Sequence, residues 1–319
     1  VIVKTPKIGV LLIDPLLDAF KECFPKGVVN TISGDGAEII TPLMQSGKID
    51  QLTFIGSTFV ANKIIENHPK KNRLSMILGL GAKNPAVITS SVDLQKTAEK
   101  VVKGALTFNG QRCTAIKVIF VERKIADEFA EILSKKVDEL KIGMPWEKDV
   151  YLTPLAEPNK VDYMKDYVED ARLYGAKIIN RNGGEVVENL FRPSVLYPVS
   201  KESKIYKEEQ FGPVVPIVPY DSLDEVYTYM EDSDLAQQAS LFTGSYDTAN
   251  NFIAKTRNNI GRVNINSIPQ RSPDFLPFNG KKDSAHGTLS IKDALLSFSV
   301  PVVIAGDEKD IVSKLVTFI

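Results

Sequence analysis

Residues Phe108 to Thr114 read FNGQRCT. The stretch closes a helix-like pattern running from Leu94 to roughly Phe108, and it sets Cys113 directly behind Arg112. A thiol beside a fixed positive charge and near a helix end is biased toward the thiolate, the nucleophilic form. A lone cysteine serves more often as a small buried hydrophobe. The rest of the chain has to decide between the two.

With 319 residues the chain is long enough for two domains of ordinary size and a large buried core. A formal net charge of -1 steers the molecule toward neither nucleic acid nor an anionic membrane surface. No apolar run reaches bilayer-spanning length. Two cysteines, Cys23 and Cys113, argue against a disulfide framework and for a reducing, cytoplasmic setting. Two histidines, His68 and His286, have no close Cys/His spacing, so no metal site is expected, and both read as structural or exposed. The opening VIVKTP reads as a strand entering a turn, and a further segment is expected before Val1.

Outward from FNGQRCT, short apolar strand patterns alternate with amphipathic helical ones. Asp14-Pro15 has the form of an N-cap and first-turn proline. Strand patterns include GVVNTISG, QLTFIG, KVIFVE, VVPIVPY, ASLFTG and RVNIN; helical ones include AEIITPLMQSG, the stretch from Ser57, ADEFAEILSKKVDELKIG and TANNFIAKTR. This alternation predicts an α/β fold with a parallel sheet covered on both faces. Pro269 to Lys282 reads as an ordered loop. The apolar SFSVPVVIA and DIVSKLVTFI call for a partner surface.

Several segments could bind or react. Ile55-Gly56-Ser57-Thr58 joins a strand to a helix and could cradle a phosphate on backbone N–H groups, although Ser57 as an N-cap needs no ligand. Gly34-Asp35-Gly36 lacks the third glycine of a dinucleotide fingerprint. In EEQFGP, residues 208–213, a carboxylate could accept ribose hydroxyls beside an aromatic ring. Arg271 lies in a loop where a guanidinium could grip an anion.

FNGQRCT, LGAKNP (80–85), FIGST (54–58), EEQFGPV (208–214) and FNGKKDS (278–284) occur in the order of the aldehyde dehydrogenase superfamily, which the whole chain resembles. GQRCTA and PQRSPDFLPF are most similar to the non-phosphorylating glyceraldehyde-3-phosphate dehydrogenases. The resemblance implies a partial Rossmann-like cofactor domain over 1–79, an α/β catalytic domain over 80–284, and a C-terminal return with a small oligomerisation element over 285–319. It implies a homodimer or homotetramer. Cys113 would attack the aldehyde, the thiohemiacetal would give up a hydride, and water would cleave the thioester.

By matching positions, Lys4 would meet the adenosine ribose, Gly56 and Ser57 the pyrophosphate, and Glu209 the nicotinamide ribose. Phe211 would lie near the nicotinamide, Leu80 would also contact the cofactor, and Arg112 and Arg271 would bind the substrate phosphate. Lys7 stands where NAD-preferring relatives often place a glutamate for the ribose 2′-hydroxyl. An ammonium attracts a 2′-phosphate that a carboxylate would repel, so NADP is expected, with NAD the alternative.

The chain departs from the family at the general base. Where the family reads E-L-G-G/A-K, residues 79–83 read Gly79-Leu80-Gly81-Ala82-Lys83. General-base help is commonly worth about 10²–10⁴-fold, and glycine supplies none. Phe59 and Ala61 replace the usual Glu and Gly after GST, and Ala285 replaces a glycine. The family's oxyanion asparagine falls in the part of its chain that precedes Val1 here. An aldehyde oxidation with impaired deacylation, a CoA-acylating enzyme, and a non-catalytic binding or structural protein all remain open.

Overall fold

Adjacent residues of the central strands bury on opposite faces. Val87, Val118 and Phe120 pack into one apolar cluster, while Ala86, Ile88, Ile119 and Val121 pack into another. Such strands are apolar throughout because neither face of their sheet meets water. The computed structural model describes residues 1–157 and 159–305.

The sheet has seven strands in the order Arg262–Ile265, Gln238–Phe242, Asn84–Ile88, Ile116–Glu122, Val214–Tyr220, Ser194–Tyr197 and Lys177–Ile178. Neighbours run parallel except at the last pair, where Leu196 faces Ile178 antiparallel. Helices Leu94–Leu106 and Arg123–Asp138 cover one face. The second helix buries Ala126, Phe129, Ala130, Leu133 and Val137, the repeat of an amphipathic helix lying on a core. Helices Lys160–Leu173, Leu223–Asp232 and Tyr246–Thr256 contribute to the other face.

The N-terminal strands do not extend this sheet. Ile2–Lys4 pairs in parallel with Asn30–Ile32. Gln51–Ile55 pairs in parallel with Ser75–Gly79, and Ala285–His286 adds antiparallel to Ser75–Gly79 with Ala285 opposite Gly79. The chain thus returns to residue 79 after completing the large sheet.

Two local expectations need correction. Asp14 does not cap its helix: Ile13 holds the cap position without a side-chain bond, and Asp14 is the first residue of helix Asp14–Cys23. The helix from Leu94 ends at Leu106, short of Phe108. Phe108, Asn109 and Gly110 have φ of 55°, 58° and 68°, a left-handed run that no α-helix continues. Residues 297–305 of the apolar C-terminal stretch are described, and Val300, Val302 and Val303 are exposed; DIVSKLVTFI lies outside the described residues. Among the described residues no helix is long and apolar enough to cross a membrane.

Candidate active site

The left-handed turn delivers Cys113 to a half-buried position beyond the end of the helix, so the thiol is carried by a loop and not by a helix terminus. That loop is tightly held. Buried Asn84 donates from Nδ2 to the carbonyls of Cys113 at 2.7 Å and Ala115 at 2.9 Å, and its Oδ1 accepts from Gln238 N at 3.0 Å. Asn109 accepts from Thr153 N and donates to Thr153 O, both at 3.0 Å. At Gly110 a Cβ would stand 2.7 Å from Gly212 O and 2.8 Å from Ala105 O, so glycine permits this approach as well as the positive φ.

Against the loop lies a cluster of buried charge. Lys83 and Lys117 are each 1 % exposed. Lys83 Nζ donates to Gln210 Oε1 at 2.8 Å, and Gln210 Nε2 donates to the carbonyls of Lys117 and Val214. Lys117 Nζ donates to Gly110 O at 2.9 Å, stands 3.6 Å from Glu209 Oε1, and sits 4.6 Å from the centre of the Phe211 ring. The Phe211 backbone is itself strained, with φ of 36°. Behind it, a Cβ on Gly212 would collide with the Met164 sulfur.

Burial decides the ionisation of this cluster. It holds Lys83 well below the ordinary amine range, with repulsion from Lys117 adding to the effect. Burial lowers Lys117 to about 8 despite attraction to Glu209. Burial also raises the Glu209 carboxyl above its ordinary value, although Lys117 and the Ala82 N–H favour the anion. Both partners of the pair therefore shift toward neutrality, as expected where desolvation outweighs Coulomb attraction. Glu209 Oε1 is buried without a hydrogen-bond partner and faces Lys117 Nζ at 3.6 Å. Tyr163 donates its hydroxyl to Glu209 O, and Tyr167 donates to the Glu208 carboxylate, so the acidic pair is built into the fold.

The strand-to-helix turn forms a second group. Ser57 caps helix Thr58–Glu66, its hydroxyl accepting from Val60 N, and Thr58 donates to Asp283 O. Gly56 N donates to Gly79 O at 3.1 Å. Gly56 is also demanded from within, because a Cβ there would stand 2.5 Å from the Phe54 ring. At Gly79 a Cβ would meet Leu289 Cδ1 at 2.9 Å. A leucine methyl thus borders the space into which a side chain at 79 would grow. Leu80 is buried with Ala61 and Leu78, and only its N–H reaches out, to Ser284 O.

The expected residues thus meet in linked groups. Cys113, Glu209 and Phe211 meet through Lys117 and the loop. Gly56, Ser57 and Gly79 share the turn, and Gly81 joins them to Glu209, since a Cβ on Gly81 would stand 3.1 Å from Glu209 Oε2. Arg271 donates to Leu289 O at 3.1 Å, on the residue that borders Gly79. Arg112 stacks over Phe108 at 5.5 Å, and among the described residues neither Arg112 nor Arg271 has a carboxylate partner. Lys4 is half-buried at the end of its strand and Lys7 is exposed. His68 is buried, with its ring nitrogens on Ile49 O and Lys70 N. Lys83, Asn84, Lys117, Gln210 and Leu289 are the site residues that sequence reasoning missed.

The sequence pattern described as the aldehyde dehydrogenase family matches residues 1–303. The NADP-dependent glyceraldehyde-3-phosphate dehydrogenase of Streptococcus equinus is 35% identical over 281 residues, covering 87% of this chain and 57% of that protein. The enzyme of the same name from Arabidopsis thaliana is 31% identical over 272 residues, covering 85% and 53%. The crystal structure of NADP-dependent glyceraldehyde-3-phosphate dehydrogenase from Bacillus halodurans C-125 complexed with NADP superposes with a TM-score of 0.85 at 33% identity, over 93% of this chain and 61% of that one. The chain therefore spans little more than half the length of the curated relatives it matches.

Proposed function

The chain belongs to the aldehyde dehydrogenase family, and on that premise we propose that it takes part in NADP-dependent oxidation of a phosphorylated aldehyde, glyceraldehyde 3-phosphate, to the acid. The observation that carries this reading is the clamped loop holding the half-buried Cys113 against the Lys117–Glu209–Phe211 cluster. Cys113 Sγ adds to the aldehyde carbon, and the proton goes to the former carbonyl oxygen, giving a thiohemiacetal. Loss of a hydride and that proton leaves a thioester, which water cleaves to the acid and the free thiol. Bound NADP would supply the hydride acceptor.

The residues present fit that cofactor. Glu209, whose Oε1 is unpaired among the described residues, would accept a ribose hydroxyl, the backbone N–H groups at the start of helix Thr58–Glu66 would suit a pyrophosphate, and Phe211 would offer a flat face. Lys4 would meet the adenosine ribose and Lys7 the 2′-phosphate. Arg112 and Arg271, which have no carboxylate partner among the described residues, would hold the substrate phosphate, the strongest handle on a three-carbon aldehyde. Gly79, bordered by the Leu289 methyl, cannot take a proton from water. Deacylation is the slow step in this reading, and a CoA-acylating reaction is its variant, tested by whether turnover rises on adding CoA. The division at 79/80 and 284/285, a cytoplasmic setting and a homodimer or homotetramer belong to the same proposal.

Mass analysis of the full-length protein after mixing with glyceraldehyde 3-phosphate and NADP tests it. A phosphoglyceroyl thioester on the peptide carrying Cys113, absent from Cys113→Ser, is the expected result. NADPH formation that persists in Cys113→Ser would contradict it. Lys7→Glu should move cofactor preference toward NAD by about fivefold or more, given roughly 1 kcal/mol for an exposed charge pair.

A further inference from the structure

We propose that Lys117 is a positioning residue: its ammonium locks the thiol loop to the Glu209–Phe211 turn and couples its own charge state to the reactivity of Cys113. The proposal deepens the function above and rests on Cys113 being the nucleophile. Lys117 lies in strand Ile116–Glu122, and its side chain is 1 % exposed. A lysine so placed is an expensive way to fill a core, since an apolar side chain of similar volume avoids the desolvation cost.

What the ammonium does there is specific. One N–H holds Gly110 O, within the left-handed turn that sets the path to Cys113. The charge faces Glu209 Oε1 at 3.6 Å, and the Phe211 ring takes it from the side. Gly110 is already wedged against Gly212 O, so the lysine ties together two backbone segments that touch. An apolar side chain would remove the donor to Gly110 O and the cation on the Phe211 ring.

The groups facing Lys117 fix the sign of its pH response. Glu209 and the Cys113 thiolate stabilise its charged form, whereas Lys160 and Lys83 oppose it. Burial dominates and brings it to about 8. Below that pH the cation attracts Glu209 and the thiolate; above it the attraction is lost.

The test is the rate of iodoacetamide alkylation of Cys113 against pH in cofactor-free protein, read on the Cys113 peptide so that exposed Cys23 does not contribute. The wild type should show, besides the thiol's own titration, an inflection near pH 8, where Lys117 titrates. Lys117→Met should lose that inflection and react about three- to tenfold more slowly at neutral pH, because the charge that faces Cys113 is removed. Glu209→Gln, which keeps the buried lysine and so guards against a misfolded Lys117→Met, should move the inflection to lower pH by removing the attraction that raises Lys117. Identical profiles in the three proteins would overturn the proposal. NADP binding, followed in the same proteins, separates the two readings: profiles that differ as stated without NADP binding by the wild type would sink the function and leave Lys117 in place.

Discussion

The thiol side and the turn side of the site are built differently. Around Cys113 three buried polar side chains are paired: Asn84 on two carbonyls and one N–H, Gln210 on three partners, and Lys117 on Gly110. Around Gly79 the surroundings are open or apolar. Ile55 is 71% exposed, Phe59 is 65% exposed, and Leu289 presents a methyl where a side chain at 79 would extend. Pre-organised polar groups favour bond-making at the sulfur, whereas nothing at residue 79 can activate water. On the proposed function, this difference would favour forming the thioester over releasing it.

The sharpest way to break this comparison is to cut the thiol side's clamp. Asn84→Ala removes a partner from two carbonyls and one N–H, and at about 1–3 kcal/mol for each unsatisfied group it should cost at least about 3 kcal/mol in urea unfolding. A loss below about 1 kcal/mol would show that the loop is not held as described. A smaller effect is expected at the other side. Gly79→Glu must displace the Leu289 methyl from 2.9 Å, costing about 1–3 kcal/mol as overpacking. Adding Leu289→Ala should relieve it, leaving a coupling of about 0.5 kcal/mol or more in the double-mutant cycle; strict additivity would mean that the two do not meet. The smallest effect belongs to the exposed cap: Ser57→Ala should cost about 1 kcal/mol or less.

The same contrast explains what the sequence revealed. The central strand Ile116–Glu122 was legible because burial on both faces makes VIFV continuously apolar, and Cys113, Glu209 and Phe211 were legible because they sit in motifs. Lys83 and Lys117 were not, since a lysine within or beside a strand reads as solvent-facing until the fold encloses it. Asn84 and Gln210 stood inside quoted motifs, yet their partners lie far along the chain, at Cys113 and Gln238 for one and Lys83 and Lys117 for the other. Helix Lys160–Leu173 is hard to single out because charged residues break up its buried Val161, Met164, Tyr167, Val168 and Ala171. Leu289 closes on Gly79 only through the antiparallel return of Ala285–His286, a pairing that no local pattern announces.

In the proposed function Cys113 is acylated faster than it is released. Stopped-flow NADPH formation by the full-length protein, mixed with glyceraldehyde 3-phosphate and NADP, measures both steps at once. A rapid burst approaching one NADPH per Cys113, followed by a much slower steady rate and absent from Cys113→Ser, is the predicted trace. A wild-type protein that shows no burst and no thioester would contradict the account.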